Sequence, residues 1–286
     1  MSLTVRQLLA ESREQLARAS VDSPDLSAQL LAAHVLGVQR FELHLNIDRL
    51  LENFQIEQIR ILIRRRAKGE PVAYLLGCRE FYGLDFKVTP DVLIPRPETE
   101  HIIEYCESVF SKQDSFVFAD FGTGSGILAT TLATLFPYAK GVAVDLFPGP
   151  LNVARSNAEK HGVGNRIQFV RADFTQTLFL PSSFDLVVAN PPYVTEEELG
   201  NCSHEVRQFE PHTALTSGAD GLDHIRLLIP CLERYLVSKG LLAIEFGWRH
   251  GSIVRKILAS QEYYFNEISI HKDLAGHDRF VTARKK

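Results

Sequence analysis

The stretch Phe116-Val117-Phe118-Ala119-Asp120-Phe121-Gly122-Thr123-Gly124-Ser125-Gly126 decides the fold of this chain. Its apolar first half predicts a buried strand, its glycines predict a sharp turn, and the amphipathic run that follows, Ile127 to Ala133, predicts a helix. A helix that begins here offers free N–H groups to a ligand. The glycine spacing is G-x-G-x-G, which differs from the G-x-G-x-x-G of a dinucleotide-binding loop. Taken alone, the stretch is also compatible with an ordinary tight turn.

Acidic residues follow the next two predicted strands. The run Gly141–Asp145 predicts a strand whose last carboxylate is well placed to accept hydrogen bonds from both hydroxyls of a ribose. The run Arg166–Val170 predicts another strand, and Asp173 and Phe174 beyond it offer an acceptor for an adenine amine and a flat face for its ring. Each acid has an ordinary alternative, as a helix cap or a loop residue. The order of these elements on successive strand ends favours a ligand site.

The tetrapeptide Asn190-Pro191-Pro192-Tyr193 follows a fourth predicted strand, the apolar run Phe184–Ala189. In open α/β sheets, ligands bind at this carboxyl edge of the strands. Two consecutive prolines stiffen the backbone, Asn190 offers both a carbonyl acceptor and an amide donor, and Tyr193 offers a flat apolar face. Together they predict a rigid slot for a planar amide or amine. The alternative is an ordinary turn after a strand.

The spacing of apolar residues divides the chain into three parts. Residues 1–75 carry them at helical period, as in Leu8, Leu16 and Leu31, which predicts a small helical bundle. Residues 76–98 have period-two and turn features, which predict a hairpin linker. Residues 99–286 alternate between strand and helix patterns, the βαβ signature of a parallel sheet in an α/β fold. Strands are expected at 116–121, 141–145, 167–170, 185–189, 241–246, 264–270 and 279–283. Because only a short loop separates the last two, we expect an antiparallel pair at one edge.

Composition narrows the class of protein. The 286 residues suffice for two domains, and a formal net charge of −4 gives no bulk attraction to nucleic acid. We interpret the basic run Arg60–Lys68 first as a solvated helix face and second as a contact surface for an acidic or RNA-bound partner. The four cysteines lack CxxC or metal-like spacing, which fits reduced thiols in the cytoplasm. With no signal peptide and no apolar run near ~20 residues, we expect no membrane contact. Nothing demands more than a monomer.

With these motifs the chain resembles the S-adenosylmethionine-dependent methyltransferases of the Rossmann-like class, and more narrowly the release factor glutamine methyltransferases. The resemblance covers nearly the whole chain. It extends to Glu80-Phe81-Tyr82-Gly83, Leu93-Ile94-Pro95-Arg96-Pro97-Glu98-Thr99-Glu100, Phe209-Glu210-Pro211, Ala214-Leu215, Gly218–Leu222, Glu245–Trp248 and Asp278-Arg279. Asn-Pro-Pro-Tyr alone is shared with DNA adenine and rRNA guanine methyltransferases. The Ile-Pro-Arg-Pro-Glu-Thr-Glu segment and the helical N-terminal region are narrower signals.

The resemblance implies a seven-stranded class I methyltransferase sheet behind a small helical domain that recognises the substrate. The expected reaction moves a methyl group from S-adenosyl-L-methionine to the amide nitrogen (N5) of the glutamine in the Gly-Gly-Gln motif of class 1 peptide chain release factors. S-adenosyl-L-homocysteine is then the product, and no metal is needed. The residues expected to bind the cofactor are Gly122, Thr123, Gly124, Ser125, Gly126, Asp145, Asp173, Phe174 and Asn190.

The chemistry of an amide assigns the roles at the substrate slot. An amide nitrogen is a poor nucleophile and the cofactor's methyl is already electrophilic, so catalysis rests on positioning and local electrostatics. We expect Asn190 Oδ1 and the Pro191 carbonyl to accept the two amide hydrogens, and Tyr193 to pack on the amide plane. Pro192 completes the slot, with Leu93 and Arg96 on the opposite wall. Arg96 either clamps its loop through Glu98 or Glu100, the favoured interpretation, or contacts the substrate backbone. Glu245 and Trp248 are expected to be structural.

The chain departs from the family pattern at three places: Leu146–Pro150 after the ribose acid, Phe174 where Trp is common, and Phe246 where His is common. None of them touches the proposed slot. Two other readings of the whole chain compete. A nucleic-acid amino methyltransferase (adenine N6 or guanine N2) would use the same slot and would need a basic groove. A cofactor-binding scaffold without activity would have no use for an amide slot.

Overall fold

A computed structural model describes residues 3–260 and 264–286. The chain divides into two compact units, which are described separately. One comprises Met1–Cys78 together with Ser203–Phe209, and the other comprises Arg79–Cys202 together with Glu210–Lys286.

The N-terminal unit is helical, as its apolar spacing predicted. Its helices are α1 (Val5–Arg18), α2 (Pro24–Leu36), α3 (Arg40–Leu45), α4 (Asn53–Ala67) and α5 (Val72–Leu76). Thr4 begins α1 with a capping box, and Gly37 ends α2 in the left-handed conformation that glycine adopts without strain. The apolar faces meet in a core that includes Leu8, Leu16 and Leu31, each at most 1% exposed.

The basic face of α4 is largely neutralised by acids of the same unit. Arg60 pairs with Glu11 and Glu57, and Arg65 pairs with Glu70 at 2.5 Å. Arg66 is 3% exposed and pairs with Glu205. The prediction of a solvated face therefore does not hold at Arg66, because a later segment of the chain covers it.

The second unit begins with a small hairpin and then builds the main sheet. Strands β1 (Cys78–Phe81) and β2 (Leu84–Lys87) pair across Tyr82 and Gly83, both with positive φ, as in a tight hairpin turn. The remaining strands are β3 (Val117–Phe121), β4 (Lys140–Asp145), β5 (Ile167–Arg171), β6 (Phe184–Ala189), β7 (Leu236–Glu245), β8 (Phe265–Lys272) and β9 (Asp278–Lys285). The remaining helices are α6 (Glu100–Val109), α7 (Ile127–Leu135), α8 (Pro148–Lys160), α9 (Glu196–Asn201), α10 (His204–Phe209, in the N-terminal unit), α11 (Asp223–Tyr235) and α12 (Gly251–Ala259).

Within the described ranges the main sheet has seven strands in the order β5-β4-β3-β6-β7-β9-β8. The first five are parallel, whereas β9 runs antiparallel to both β7 and β8. The Rossmann-like fold and the antiparallel pair at one edge are thus confirmed. The chain moves outward from β3 through β4 to β5 and then returns to the other side of β3 with β6. This switch point is where open α/β sheets bind ligands.

Helices cover both faces of the sheet. On one face, β3 contributes Phe118 to a core that also holds Ile102 of α6 and Leu132 of α7. On the other, β3 contributes Phe121, which packs in a core with Leu228 of α11. This alternation follows from the two-residue period of a strand and requires the buried, apolar composition of β3. Among the described residues, none of the helices combines the length and hydropathy needed to span a bilayer.

Candidate active site

The glycine-rich loop after β3 is anchored to the neighbouring strand β4. The backbone N–H groups of Gly122 and Thr123 both donate to the Val144 carbonyl at 2.9 Å. Gly122, Gly124 and Gly126 have φ values of 74°, 54° and 79°, in the region that favours glycine. A Cβ on Gly126 would lie 2.9 Å from that of Ala154, so this glycine also permits α7 to approach α8 closely.

Asp145 closes the loop from the tip of β4. Its Oδ2 accepts the Gly124 N–H at 3.0 Å, and its Oδ1 accepts the Phe147 N–H at 3.1 Å. Burial raises the pKa of Asp145, and these backbone hydrogen bonds oppose the rise. A half-buried carboxylate with no cation beside it in the described contacts is suited to accept hydrogen bonds from neutral hydroxyl groups.

Asp120, on β3 beneath the loop, was not singled out from the sequence. It is 1% exposed and accepts hydrogen bonds from the Thr123 hydroxyl at 2.7 Å and the Ala129 N–H at 3.2 Å. Burial raises its pKa to about 7. The available signal was an acid inside an otherwise apolar strand, a position that a protein tolerates only when the acid is hydrogen-bonded.

A pocket opens at this carboxyl edge of the sheet. The predicted site residues that line it are Leu93, Arg96, Gly122, Thr123, Gly124, Ser125, Asp145, Phe174, Asn190 and Pro192. Gly126, Asp173, Pro191 and Tyr193 are not among its lining residues. The register that pairs Phe121 with Ala189 places the ends of β3 and β6 side by side, so the glycine loop and Asn190 face the same space.

Asn190 is held by a residue that the sequence analysis assigned no role. Its Nδ2 donates to the hydroxyl of Thr99 at 3.1 Å, and Thr99 is 0% exposed. In this orientation the amide oxygen of Asn190 is left as the acceptor. The backbone beyond it is fixed as well, because the N–H groups of Tyr193 and Val194 both donate to the Leu215 carbonyl.

Tyr193 packs against Gly221 and Gly247 and contacts the buried carboxylate of Glu245. Its hydroxyl donates to Glu245 Oε1 at 3.2 Å. A Cβ on Gly221 would lie 2.3 Å from the Tyr193 carbonyl oxygen, and one on Gly247 would lie 3.2 Å from its ring. Burial, followed by the charge of Glu245, raises the pKa of the Tyr193 phenol well above its usual range, so it stays a neutral donor.

Glu210 organises the opposite wall of the pocket. It is 4% exposed; Arg96 Nη2 contacts its Oε1 at 2.6 Å, and the Ile94 N–H donates to its Oε2 at 3.1 Å. The prediction that Arg96 pairs with Glu98 or Glu100 is therefore wrong, because its partner is Glu210. Glu98 lies nearer Arg279, at 3.9 Å, and Glu100 Oε1 accepts the Tyr82 N–H.

Phe174 and Asp173 differ in their relation to the pocket. Phe174 lines it beside His224, at 6.2 Å between ring centroids. His224 hydrogen-bonds to the Ser217 hydroxyl at 2.7 Å, and burial lowers its pKa. Asp173 Oδ1 accepts from the N–H and the hydroxyl of Thr175, which lowers the pKa of Asp173. One Asp173 oxygen is thus committed to a turn, and His224 is a pocket residue that the sequence analysis missed.

Comparison with known proteins gives a family for this geometry. Residues 7–77 match the description "PrmC N-terminal domain", and residues 118–209 match "Methyltransferase domain". The chain is 42% identical to the release factor glutamine methyltransferase of Nitratidesulfovibrio vulgaris, over 99% of this chain and 95% of the relative. Relatives of the same name from Geobacter sulfurreducens and Vibrio cholerae are 41% and 37% identical, over 98% and 100% of this chain and 96% and 98% of theirs. The chain belongs to the release factor glutamine methyltransferase family.

Solved structures of other methyltransferases share the fold of this family member. The catalytic domain of hMettl16, crystallised with MAT2A 3'UTR hairpin 6, has a TM-score of 0.55 and 16% identity over 82% of this chain and 84% of its own. A methyltransferase from Pyrococcus furiosus has a TM-score of 0.51 and 18% identity over 80% and 98%. At such identities the similarity concerns the fold alone. Within the residues described here, no cluster of three or more His, Cys, Asp or Glu is arranged to hold a metal ion.

Glu245 is the buried acid at the end of β7, where we expected a structural residue near the pocket. It is 1% exposed, and burial raises its pKa to about 7, against the nearby hydroxyls of Thr99 and Tyr193 and the charge of Arg279. Trp248, beyond it, is 48% exposed and carries the Arg249 guanidinium 4.6 Å from its ring centroid. The Trp248 side chain therefore faces solvent rather than the core.

The two buried acids make the stability of the ligand-free enzyme depend on pH. The pKa values of Asp120 and Glu245 are raised from 3.8 and 4.5 to about 7, so the folded state retains protons that the unfolded chain has lost. Their stabilising effect is complete below the unfolded pKa values and is lost as the pH rises through about 7. From pH 6.5 to 8 we expect the two acids together to lower the free energy of unfolding by about 1.5 kcal/mol. Urea unfolding at both pH values measures it.

Glu245→Gln should remove about half of this decrease, and a second change, Asp120→Asn, most of the remainder. Buried histidines act in the opposite sense, because burial lowers the pKa of His224, His250 and His271 from 6.5. Because their unfolded pKa of 6.5 is the lower end of this range, the three histidines together offset up to about 1 kcal/mol of the fall. The effect of the acids is therefore read from the difference between the wild type and the double variant. A double variant whose free energy of unfolding changed between pH 6.5 and 8 by the same amount as that of the wild type would contradict the assignment of both acids.

Proposed function

We propose that this protein transfers a methyl group from S-adenosylmethionine to the side-chain amide nitrogen of the glutamine in the Gly-Gly-Gln motif of class 1 peptide chain release factors. The observation that carries the proposal is the orientation of Asn190: its Nδ2 is bonded to Thr99, which leaves Oδ1 as an acceptor in the pocket. The relatives that match this chain over nearly its full length are named for the same substrate, which supports the proposal.

The residues at the strand ends fit the cofactor. Gly122 has no atom within 4 Å of where a Cβ would lie and Gly124 has only its own loop's carbonyl there, at 4.0 Å, so a ligand can approach the backbone. We assign Gly122 to Gly126 to the methionine part of S-adenosylmethionine, Asp145 to its ribose, and Phe174 with Asp173 to its adenine. Each Asp145 oxygen already accepts one N–H and retains capacity for a ribose hydroxyl. The cofactor supplies an electrophilic methyl group on a positively charged sulfur.

The slot residues bind and orient the glutamine amide. Asn190 Oδ1 and the Pro191 carbonyl accept its two hydrogens, which directs the nitrogen toward the methyl group and favours the positive charge that develops on it. Tyr193 closes the slot against the amide plane, with its hydroxyl held by Glu245. Pro192, Leu93 and Arg96 form the remaining walls, and the ion pair with Glu210 keeps Arg96 in place. The proton leaves afterwards to water.

We assign the two parts of the chain different tasks. The helical residues 1–75 recognise the release factor, residues 76–98 connect, and residues 99–286 carry out the transfer. We place the enzyme in the cytoplasm, where its substrate acts in translation termination, and expect a monomer. A nucleic-acid amino methyltransferase is not favoured, since the net charge is −4 and the curated relatives are named for release factors.

The test is methyl transfer from labelled S-adenosylmethionine to a purified class 1 release factor, compared with the same factor whose Gly-Gly-Gln glutamine is changed to Ala. We expect label on the intact factor and none on the variant. Ribosomal RNA and DNA are assayed in parallel. Label on nucleic acid with none on the release factor would overturn the proposal, as would equal labelling of both factors.

A further inference from the structure

Thr99 connects the substrate slot to a buried carboxylate. It ends the single 3₁₀ turn Pro97–Thr99 ahead of α6, and its N–H donates to the Arg96 carbonyl at 3.2 Å. Its hydroxyl accepts from Asn190 Nδ2 at 3.1 Å. It also lies beside Glu245, whose Oε2 is buried and has no hydrogen-bond partner among the described residues. Ala189 and Ile244 are paired on neighbouring strands, so Asn190 and Glu245 follow them at the same edge of the sheet.

The orientation of the Asn190 amide decides whether the slot can work. An asparagine amide is nearly symmetrical in shape, so packing alone distinguishes its oxygen from its nitrogen poorly. With Oδ1 facing the substrate, the slot presents an acceptor to an amide N–H. With Nδ2 facing it, two donors would oppose each other and the substrate amide would lose a partner.

The hydroxyl of Thr99 can select the orientation only if its own polarity is set, since a hydroxyl both donates and accepts. Glu245 can set it. Above a pH of about 7 Glu245 is ionised. An ionised carboxylate only accepts hydrogen bonds, so it draws the Thr99 proton, and the lone pairs of Thr99 then face Asn190. Glu245 Oε1 already accepts from Tyr193, whereas its Oε2 has no hydrogen-bond partner in the part of the chain that the structure describes and is available to Thr99.

We propose that Thr99, with its hydroxyl polarised by Glu245, is a positioning residue that holds the Asn190 amide oxygen toward the substrate. This inference rests on the proposed function for its catalytic consequence, but the orientation itself is a property of the protein alone. The same turn carries Arg96, so a single short segment positions both walls of the slot.

The kinetic test compares a substitution at Thr99 that removes the hydroxyl with one that keeps it. Thr99→Val removes the hydroxyl and should lower kcat roughly 10- to 100-fold, with the KM for release factor and the Kd for S-adenosylmethionine within a few-fold of wild type. Thr99→Ser keeps the hydroxyl and should retain most of kcat. Thr131→Val is the matched control, because Thr131 is also 0% exposed but its hydroxyl has no hydrogen-bond partner within residues 3–260 and 264–286. It should leave kcat unchanged.

A second readout does not depend on the substrate. The side-chain N–H protons of Asn190, followed by NMR, should exchange slowly with water in the wild type and in Thr99→Ser, and faster in Thr99→Val. Glu245→Gln, whose amide can donate as well as accept, should also speed this exchange. If Thr99→Val does not fold, the exchange rate in Glu245→Gln still tests whether Thr99 and Glu245 hold the Asn190 amide.

The outcomes separate the two proposals. An inactive wild type that shows the expected exchange differences would refute the proposed substrate and support the positioning role. An active wild type with Thr99→Val at full kcat, or with Thr99→Ser as impaired as Thr99→Val, would overturn the positioning role. Equal exchange rates in all variants would overturn it as well.

Discussion

Asn190→Ala should lower kcat about 10²- to 10³-fold and leave the Kd for S-adenosylmethionine within a few-fold of wild type. The substitution removes the acceptor that aligns the substrate amide and stabilises the charge developing on its nitrogen. The glycine loop and Asp145, which we assign to the cofactor, make their hydrogen bonds with each other and with Val144 rather than with Asn190. Single-turnover methyl transfer to release factor and calorimetric titration of the cofactor measure the two quantities.

Asn201→Ala is the matched control for this prediction. Asn201 is exposed at the end of α9, and its Nδ2 donates to the Glu197 carbonyl at 3.2 Å. It should have wild-type kcat. If Asn190→Ala kept more than about a tenth of the wild-type kcat, the amide oxygen would not be the main positioning group. If Asn190→Ala weakened only the binding of S-adenosylmethionine, Asn190 would be a cofactor-binding residue and not one that positions the substrate.

The fold could be predicted because its signals are local. Strands β3, β4 and β6 are mostly apolar runs of five or six residues, and β3 runs directly into the glycine turn, so the order of elements was sufficient to indicate the sheet. Strand β7 shows the limit, since it begins at Leu236 whereas the sequence predicted 241. Among the added residues, Lys239 has a φ of 65°, and the pairing of β7 with β6 shifts in register between Phe184 and Leu186. A periodic pattern does not reveal such an irregularity.

The parts of the site that could not be predicted depend on pairs far apart in sequence. Asn190 and Thr99 are separated by 91 positions, and Arg96 and Glu210 by 114. The sequence indicated that Arg96 needs a carboxylate, and Glu98 and Glu100 were the nearest candidates. Only the folded chain brings the buried carboxylate of Glu210 to Arg96, because the partner of an ion pair is set by distance in space and not by distance along the sequence.

Asp145→Ala should mainly weaken cofactor binding, whereas Asn190→Ala should mainly lower kcat. We expect the Kd for S-adenosylmethionine to rise about 100-fold, because a ribose loses two hydrogen bonds to a carboxylate, each worth about 1.5 kcal/mol. At saturating cofactor, kcat and the KM for release factor should change less than about tenfold, since the slot residues keep their contacts. Titration calorimetry with S-adenosylmethionine and with S-adenosylhomocysteine should give the same loss, because both carry the ribose.

Asp114→Ala tests whether such a loss is specific to the pocket. Asp114 also accepts a backbone N–H within a turn, that of Ser111 at 2.8 Å, but it lies ahead of β3 and outside the pocket. Its removal should leave the cofactor Kd unchanged. Asp145 has a second task, since it holds Gly124 and Phe147, and a loosened loop alone could weaken binding. Adenosine separates the two effects, because it has the ribose but not the methionine part that we assign to the loop. If Asp145→Ala weakened S-adenosylmethionine binding but not adenosine binding, the carboxylate would act through the loop and not on the ribose.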